Sequence, residues 1–256
     1  TADTVVALAA AGYDPDEALS DDGNSPLDYL MMQLDEGNVA GSGFVAKSIT
    51  AVVAAGYDPA DFGGYDLVGE LLASEVDGVF GFGPYDHCLS LIALQNAGAD
   101  VSEGAVDALV GIQNEDGGWG FMADSTSDTN TTALCLQALA LTEEADTVDA
   151  GFVYIASIQN EDGGWPYENP SEYGTDSDTN STALVILALV ANGEALDEWG
   201  NPGEWLLSMQ LESGSFSYQA AFPGDNVLAT VGAVPAIEEV PLNAWALLDE
   251  AEAEAE

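Results

Sequence analysis

The chain has 256 residues, 47% of them apolar, enough to build a sizeable core in one large domain or two small ones. Lys47 is its only basic side chain against 46 Asp and Glu, which gives a formal net charge of -45 at pH 7. Counterion release from nucleic acid and docking on anionic lipid both need Lys and Arg, so these partners are excluded, and the self-repulsion calls for high salt, divalent cations or an acidic habitat to offset it.

In chain order, the first element is an apolar helix over residues 3–11, closed by Gly12-Tyr13-Asp14-Pro15. The same ending returns as Ala54-Ala55-Gly56-Tyr57-Asp58-Pro59. Between them lies Leu30-Met31-Met32-Gln33-Leu34-Asp35-Glu36-Gly37, the most eroded copy of an internal repeat. Further copies are Leu71-Leu72-Ala73-Ser74-Glu75-Val76-Asp77-Gly78-Val79-Phe80 and Leu109-Val110-Gly111-Ile112-Gln113-Asn114-Glu115-Asp116-Gly117-Gly118-Trp119-Gly120. The clearest partner of the latter is Ile155-Ala156-Ser157-Ile158-Gln159-Asn160-Glu161-Asp162-Gly163-Gly164-Trp165-Pro166, and residues 206–216 give a weaker copy ending on Phe216.

Each copy leads through a polar loop into an Ala/Leu-rich helix: residues 44–55, 86–97, 130–141, 180–191 and 226–237. Ala183-Leu184-Val185-Ile186-Leu187-Ala188-Leu189-Val190 is apolar on every side, and a helix of that kind is a buried one. The helices before the loops, such as residues 105–113, are amphipathic and form an outer layer. Residues 241–252 read as one more outer helix, with 250–256 a short acidic tail. An orphan inner helix at the start and an orphan outer helix at the end predict that the ends meet. The expected fold is all-α, a closed α6/α6 toroid of about six helix-pair repeats, in a single domain over 1–256. An open solenoid would need polar capping repeats, and none is evident. Asn130, Asn180 and Asn226 stand where N-caps are wanted. Gly56, Gly98 and Gly193 close inner helices. The repeated Gln and aromatic residue are expected to tie the outer helix to its loop.

The Gln-x-x-x-Gly-x-Trp copies resemble the repeat of squalene and oxidosqualene cyclases and of protein prenyltransferase β subunits, over nearly the whole chain. Within that group the pattern is most similar to bacterial surface proteins with prenyltransferase/squalene oxidase repeats and to the α domain of the intrinsic factor and transcobalamin family. Asp225-Asn226-Val227-Leu228-Ala229-Thr230-Val231-Gly232-Ala233-Val234-Pro235-Ala236-Ile237 resembles the Pro-containing last inner helix of those proteins, and the stretch from Ala46-Lys47-Ser48-Ile49 to Asp66-Leu67-Val68 resembles their early repeats. The resemblance implies a toroid and leaves activity open, because one fold hosts many functions.

Protonating terpene cyclases, by that resemblance, carry an acid in Asp-x-Asp-Asp-Thr-Ala at an inner-helix start. Here the segments are Asp128-Thr129-Asn130-Thr131-Thr132-Ala133 and Asp178-Thr179-Asn180-Ser181-Thr182-Ala183. Asn at the acid position cannot give a proton to carbon, and Asp or Asn as helix N-caps accounts for both segments. Zinc-dependent prenyl transfer needs Asp, Cys and His ligands and cations for a diphosphate. In Asp86-His87-Cys88 consecutive helical side chains diverge and cannot chelate one ion, and there is no Arg. His87 lacks an obvious Ser nucleophile and reads as an ordinary interior or loop-edge residue. A carboxylate-pair hydrolase remains, with Asp86, Asp128, Asp178 and Asp225 at matching helix starts.

The favoured reading is non-catalytic: an extracellular or cell-surface module that binds a small molecule, peptide or glycan at the inner-helix mouth. Loop aromatics (Phe44, Phe80, Phe82, Tyr85, Phe121, Tyr167, Tyr173, Tyr218 and Phe222) and rim residues (Asp86, Asp128, Asn130, Asp178, Asn180, Asp225 and Asn226) would supply it, unless the rings only plug the funnel. Calcium is the cofactor to consider, since Asp176, Asp178 and Asn180 alternate as at the opening of an EF-hand loop, without its Gly and terminal Glu; a diffuse ion cloud is the alternative. Cys88 and Cys135 fall on adjacent inner helices and form a disulfide or stay as two buried thiols. The sequons at Asn130 and Asn180 coincide with caps and read as unmodified. No apolar run reaches transmembrane length. The acidic, Lys-poor composition fits an extracellular setting or a halophile's cytoplasm. The alternatives are a self-assembling surface-layer or filament subunit with cation-bridged acidic faces, and an enzyme of the cyclase or hydrolase kind.

Overall fold

The structure is a computed structural model that describes residues 1–245, and the described residues form helices and loops without named strands. The acidic tail over 250–256 and most of the helix expected over 241–252 lie outside the described residues. The chain divides into two compact units, Thr1–Leu109 with the segment from Leu242, and Val110–Pro241.

In the first unit, α1 (Ala2–Ala10), α3 (Ser42–Ala54) and α5 (Pro84–Asn96) are the buried helices, with α3 packed against both others. α2 (Pro26–Asp35) and α4 (Leu67–Ala73) flank them, and α6 (Glu103–Gly111) follows at the division. Starts are set by local chemistry. Ser25 and Asp28 form a reciprocal capping box on α2, Asp66 caps α4, and Pro84 sits in the first turn of α5, where a missing N–H costs nothing. Asn96 at the end of α5 donates to the Leu242 carbonyl at 2.6 Å.

In the second unit, α9 (Thr179–Ala191) packs against α7 (Thr129–Leu139) and α11 (Val227–Ile237). α8 (Ala145–Ser157) and α10 (Pro202–Ser208) flank them, with a short 3-10 helix over Leu196–Trp199. Tyr154, Ile155, Ile158 and Trp165 meet Ala133, Leu136, Val185, Ala188 and Leu189 in one core cluster. The buried helices stop as expected. Gly56 takes a positive φ, its N–H reaches Val53 and the Tyr57 N–H reaches Val52, and the same pair of bonds recurs around Gly193.

The repeat motif is a fastening. Gln113 donates from one amide to the carbonyl of Gly117 in its own loop (2.8 Å) and to that of Thr147 in the next flanking helix (2.9 Å). Gln159 does the same to Gly163 (3.1 Å) and Trp199 (2.9 Å). Gly117 has φ +87°, and a Cβ there would run into the Ala150 carbonyl, so both conformation and contact require glycine. Phe80, Trp119, Trp165 and Phe216, the rings that close four copies, rank among the largest fully buried side chains. Truncating a ring of that size in a packed core costs about 3–5 kcal/mol.

Candidate ligand site at the helix starts

A shared hydrogen bond fixes the register of the copies. The backbone N–H of Trp119 donates to Thr132 Oγ1, that of Trp165 to Thr182 Oγ1, and that of Phe216 to Thr230 Oγ1. In the first unit the Phe80 N–H donates instead to His87 Nδ1 at 3.1 Å. His87 Nε2 then donates to the Ala105 carbonyl at 2.9 Å, and the ring stacks on Phe80. Burial pushes the His87 pKa down, consistent with a neutral imidazole. The single histidine is thus the local stand-in for a threonine and is fully buried.

That register corrects two expectations. The caps of α7 and α9 are Asp128 and Asp178, not Asn130 and Asn180, because the helices begin at Thr129 and Thr179. Only Asn226 caps as expected, accepting from the Ala229 N–H at 2.9 Å. The Oδ1 atoms of Asn130 and Asn180 are buried without a hydrogen-bond partner. The four acids also do not share one position. Asp128 and Asp178 match Asn226 and Gly83, whereas Asp86 lies three residues later and Asp225 one residue earlier.

Asp128 and Asp178 are 3% and 2% exposed. Asp128 accepts from the Thr131 N–H at 2.7 Å and its hydroxyl at 2.8 Å; Asp178 accepts from Ser181 at 2.9 Å and 2.8 Å in the same way. Tyr167 links the two, its side chain bonding Asp128 and its backbone N–H bonding Asp178. Burial raises both carboxyl pKa values above the ordinary range although these bonds oppose it. Exposed Asp225 is held below that range by the hydroxyls of Ser215 and Ser213.

Threonines at the helix starts carry the loops. Thr129 donates its hydroxyl to Pro166 O (2.6 Å) and its N–H to Tyr167 O (2.8 Å). Thr179 donates likewise to Ser217 O (2.6 Å) and Tyr218 O (2.9 Å). Tyr167 and Tyr218 are thereby set beside the starts of α7 and α9. In this unit Phe121, Tyr167, Tyr173, Tyr218 and Phe222 are exposed, with Tyr173 at 98% and Phe222 at 76%. In the first unit Phe44 and Phe82 are exposed and Tyr85 is half-buried. Asp86 there lies against Gly43 and Gly81, each the neighbour of one of those phenylalanines. Phe80, expected among the loop rings, is instead core. Lys47 ion-pairs with Asp3 at 3.2 Å; burial, the largest single influence, lowers its pKa, but Asp3 and Tyr85 together outweigh it and the value is raised.

Of Asp176, Asp178 and Asn180, the Asp178 carboxylate is engaged by its own helix start, and Asp176 lines a cleft that Asp178 does not reach. Among the described residues no group of three or more His, Cys, Asp or Glu side chains is placed to hold a metal. Cys88 and Cys135 are both in the disulfide form. No described helix is long and apolar enough to cross a membrane.

No protein-family model and no curated protein sequence matches the chain. Solved structures do. A type II terpene cyclase, MstE from Scytonema, aligns with a TM-score of 0.62 at 13% identity, covering 95% of this chain and 86% of that one. The ent-copalyl diphosphate synthase from Streptomyces platensis aligns at 0.61 and 17%, covering 95% of this chain and 50% of that one. A glycosidase variant in complex with glucose aligns at 0.59 and 15%, covering 94% and 86%. The chain has the prenyltransferase/squalene cyclase-like fold, the α/α toroid common to these terpene cyclases and glycosidases.

Proposed function

We propose that this chain is a non-catalytic ligand-binding module of the cell surface or extracellular medium, and that its ligand is a glycan taken at the loops that lead into the buried helices. The observation that carries this is the set of solvent-facing rings in the second unit, above all Tyr173 and Phe222. Rings that only filled a funnel would be covered. Sugars offer apolar ring faces to such side chains and hydroxyl donors to exposed carboxylates of the same loops such as Glu172 and Asp225, and they need no cation from the protein. Anionic ligands are disfavoured by the net charge of -45. A glycosidase of the same fold holds glucose. The disulfide form of both cysteines supports an oxidising compartment.

Catalysis is disfavoured because the buried carboxylates are consumed as caps and the cyclase acid positions are Asn130 and Asn180. A second reading, self-assembly, draws on Val227 and Leu228. They are exposed where the two preceding copies carry Thr and Asn.

Affinity electrophoresis in gels cast with a mixed-linkage glucan, a xylan or a galactomannan tests the reading. At least one polysaccharide should retard the chain, and Tyr173→Ala and Phe222→Ala should abolish the retardation while moving stability by no more than about 0.5 kcal/mol. Equal mobility in every gel, or retardation that survives both substitutions, refutes it.

A further inference from the structure

We propose that a cleft beside Trp205, lined by none of the loop rings, binds an organic cation, an ammonium or guanidinium head group. The cleft lies within the second unit and has a volume of about 410 Å³. Trp205, Asp162, Asp176 and Asn160 line it, with Ala220 and Ala221 as small apolar walls.

The indole is held in place. It packs against Gly164 and Ser177 Cβ lies beside the same glycine, so no larger residue than glycine fits beneath it. Its Nε1–H donates to Asp162 Oδ2 at 3.0 Å. Asp162 is itself fixed through Oδ1, which accepts from Ser177 Oγ at 2.7 Å and the Gly164 N–H at 3.1 Å. Asn160 spends its amide donors on Thr175 O and Ser177 Oγ, both at 2.9 Å. Its donors are committed, as is the Ser177 hydroxyl, so apart from the Thr175 hydroxyl the side chains of the walls offer an incoming molecule acceptors and an aromatic ring.

The preceding copy shows what makes this cleft. There the equivalent ring, Tyr154, lies against Gly118, is buried, and donates its hydroxyl to Ser127 O at 2.8 Å. In the later copy the half-buried Trp205 turns its donor sideways to a carboxylate instead. A carboxylate on the indole N–H enriches the ring's face, and exposed Asp176 adds a second negative group to the same walls. A ring face with two carboxylates and no competing base attracts a cation through the ring quadrupole and Coulomb attraction together. The inference does not rest on the glycan reading.

Titration calorimetry at fixed ionic strength tests it with choline and N-acetyl-lysine amide as probes, the first standing for a free ammonium and the second for a basic peptide side chain. The control is 3,3-dimethylbutan-1-ol, the neutral isostere of choline. At least one cation should bind one-to-one and about tenfold or more tighter than the isostere, as a cation–π site requires. Trp205→Leu should weaken that binding about tenfold, whereas Trp205→Phe retains most of it. Asp176→Asn, on an exposed residue that leaves the fold intact, should weaken it about threefold or more, and decides the matter if Trp205→Leu fails to fold. The proposal is overturned by equal binding of the isostere, by no heat with either cation, or by unchanged affinity in a folded Trp205→Leu and in Asp176→Asn.

Discussion

Asp178 offers the sharpest test of how the helix starts are built, through Asp178→Ala and Asp178→Asn compared across pH. Four donors converge on this carboxylate: the N–H groups of Ser181, Asn180 and Tyr167 and the Ser181 hydroxyl. Alanine removes the cap, a loss of about 1 kcal/mol. It also strands buried donors at about 1–3 kcal/mol each where no water reaches them. With partial rescue by the hydroxyl, a total of about 3–5 kcal/mol follows, or a melting temperature roughly 10–15 °C lower for a chain of this size. Asparagine keeps an acceptor for the Ser181 N–H, as Asn226 does for α11, and should cost far less. The pH dependence separates charge from shape. Burial raises the folded pKa above the ordinary 3.8, so over that window the folded protein holds a proton that the unfolded chain releases. The contribution to stability is therefore fully present below 3.8 and is lost as pH rises through the folded value. Asp178→Asn carries no such proton, so its stability relative to the parent should improve from pH 3.5 toward neutrality. Urea unfolding read by far-ultraviolet circular dichroism gives both quantities. An alanine cost under about 1 kcal/mol, or an Asn-to-parent difference flat with pH, refutes the assignment of Asp178 as a buried, desolvated cap.

Other outcomes follow from the same geometry. His87→Ala should cost about 2–4 kcal/mol in denaturant unfolding, because the Phe80 N–H and Ala105 carbonyl lose their partner. The folded pKa of His87 lies below 6.5, so its stabilisation is full above pH 6.5 and is lost as pH falls through the folded value, a slope that His87→Ala should remove. Gln159→Leu, similar in volume, should cost about 1–3 kcal/mol by orphaning the Gly163 and Trp199 carbonyls, seen as a lower urea midpoint at constant slope. Melting curves with matched ionic strengths of sodium, magnesium and calcium should rise together, because screening of the charge needs no discrete site. A rise specific to calcium at micromolar levels would show one, and a parallel rise in mass by light scattering would favour assembly over binding.

Much of the fold was written in periodicities that the physics makes unambiguous. A helix apolar on all sides has to be buried, and α9 is; the five expected buried helices after the first fall within a few residues of α3, α5, α7, α9 and α11. The Gln-to-aromatic spacing gave a fastening between helix and loop, but its second arm, to Thr147 or Trp199 in the next copy, had no local trace. Repeats state what each unit does to itself more openly than what it does to its neighbour.

The same limit explains the site. Asn130 and Asn180 looked like caps because Asn has that preference in isolation, yet the competing residue two positions earlier brings a carboxylate that satisfies backbone and hydroxyl at once, and the helix starts there instead. Counting acids from the apolar runs aligned Asp86 and Asp225 with Asp128. Counting from the residue that receives the aromatic N–H separates them. That second count lies in Thr132, Thr182 and Thr230, three threonines at a constant step from their caps, and in His87 at the same step, which gives the histidine the threonine's place. Tyr167 could not have been found this way. It joins two carboxylates from successive copies because Thr129 captures the carbonyls on either side of it, and only the folded chain brings those three together. The acids that are cheapest to spot in this sequence are the solvated ones. Those that define the helix starts are the buried few whose charge costs most, which is why they are surrounded by donors and leave the exposed rings to meet a ligand.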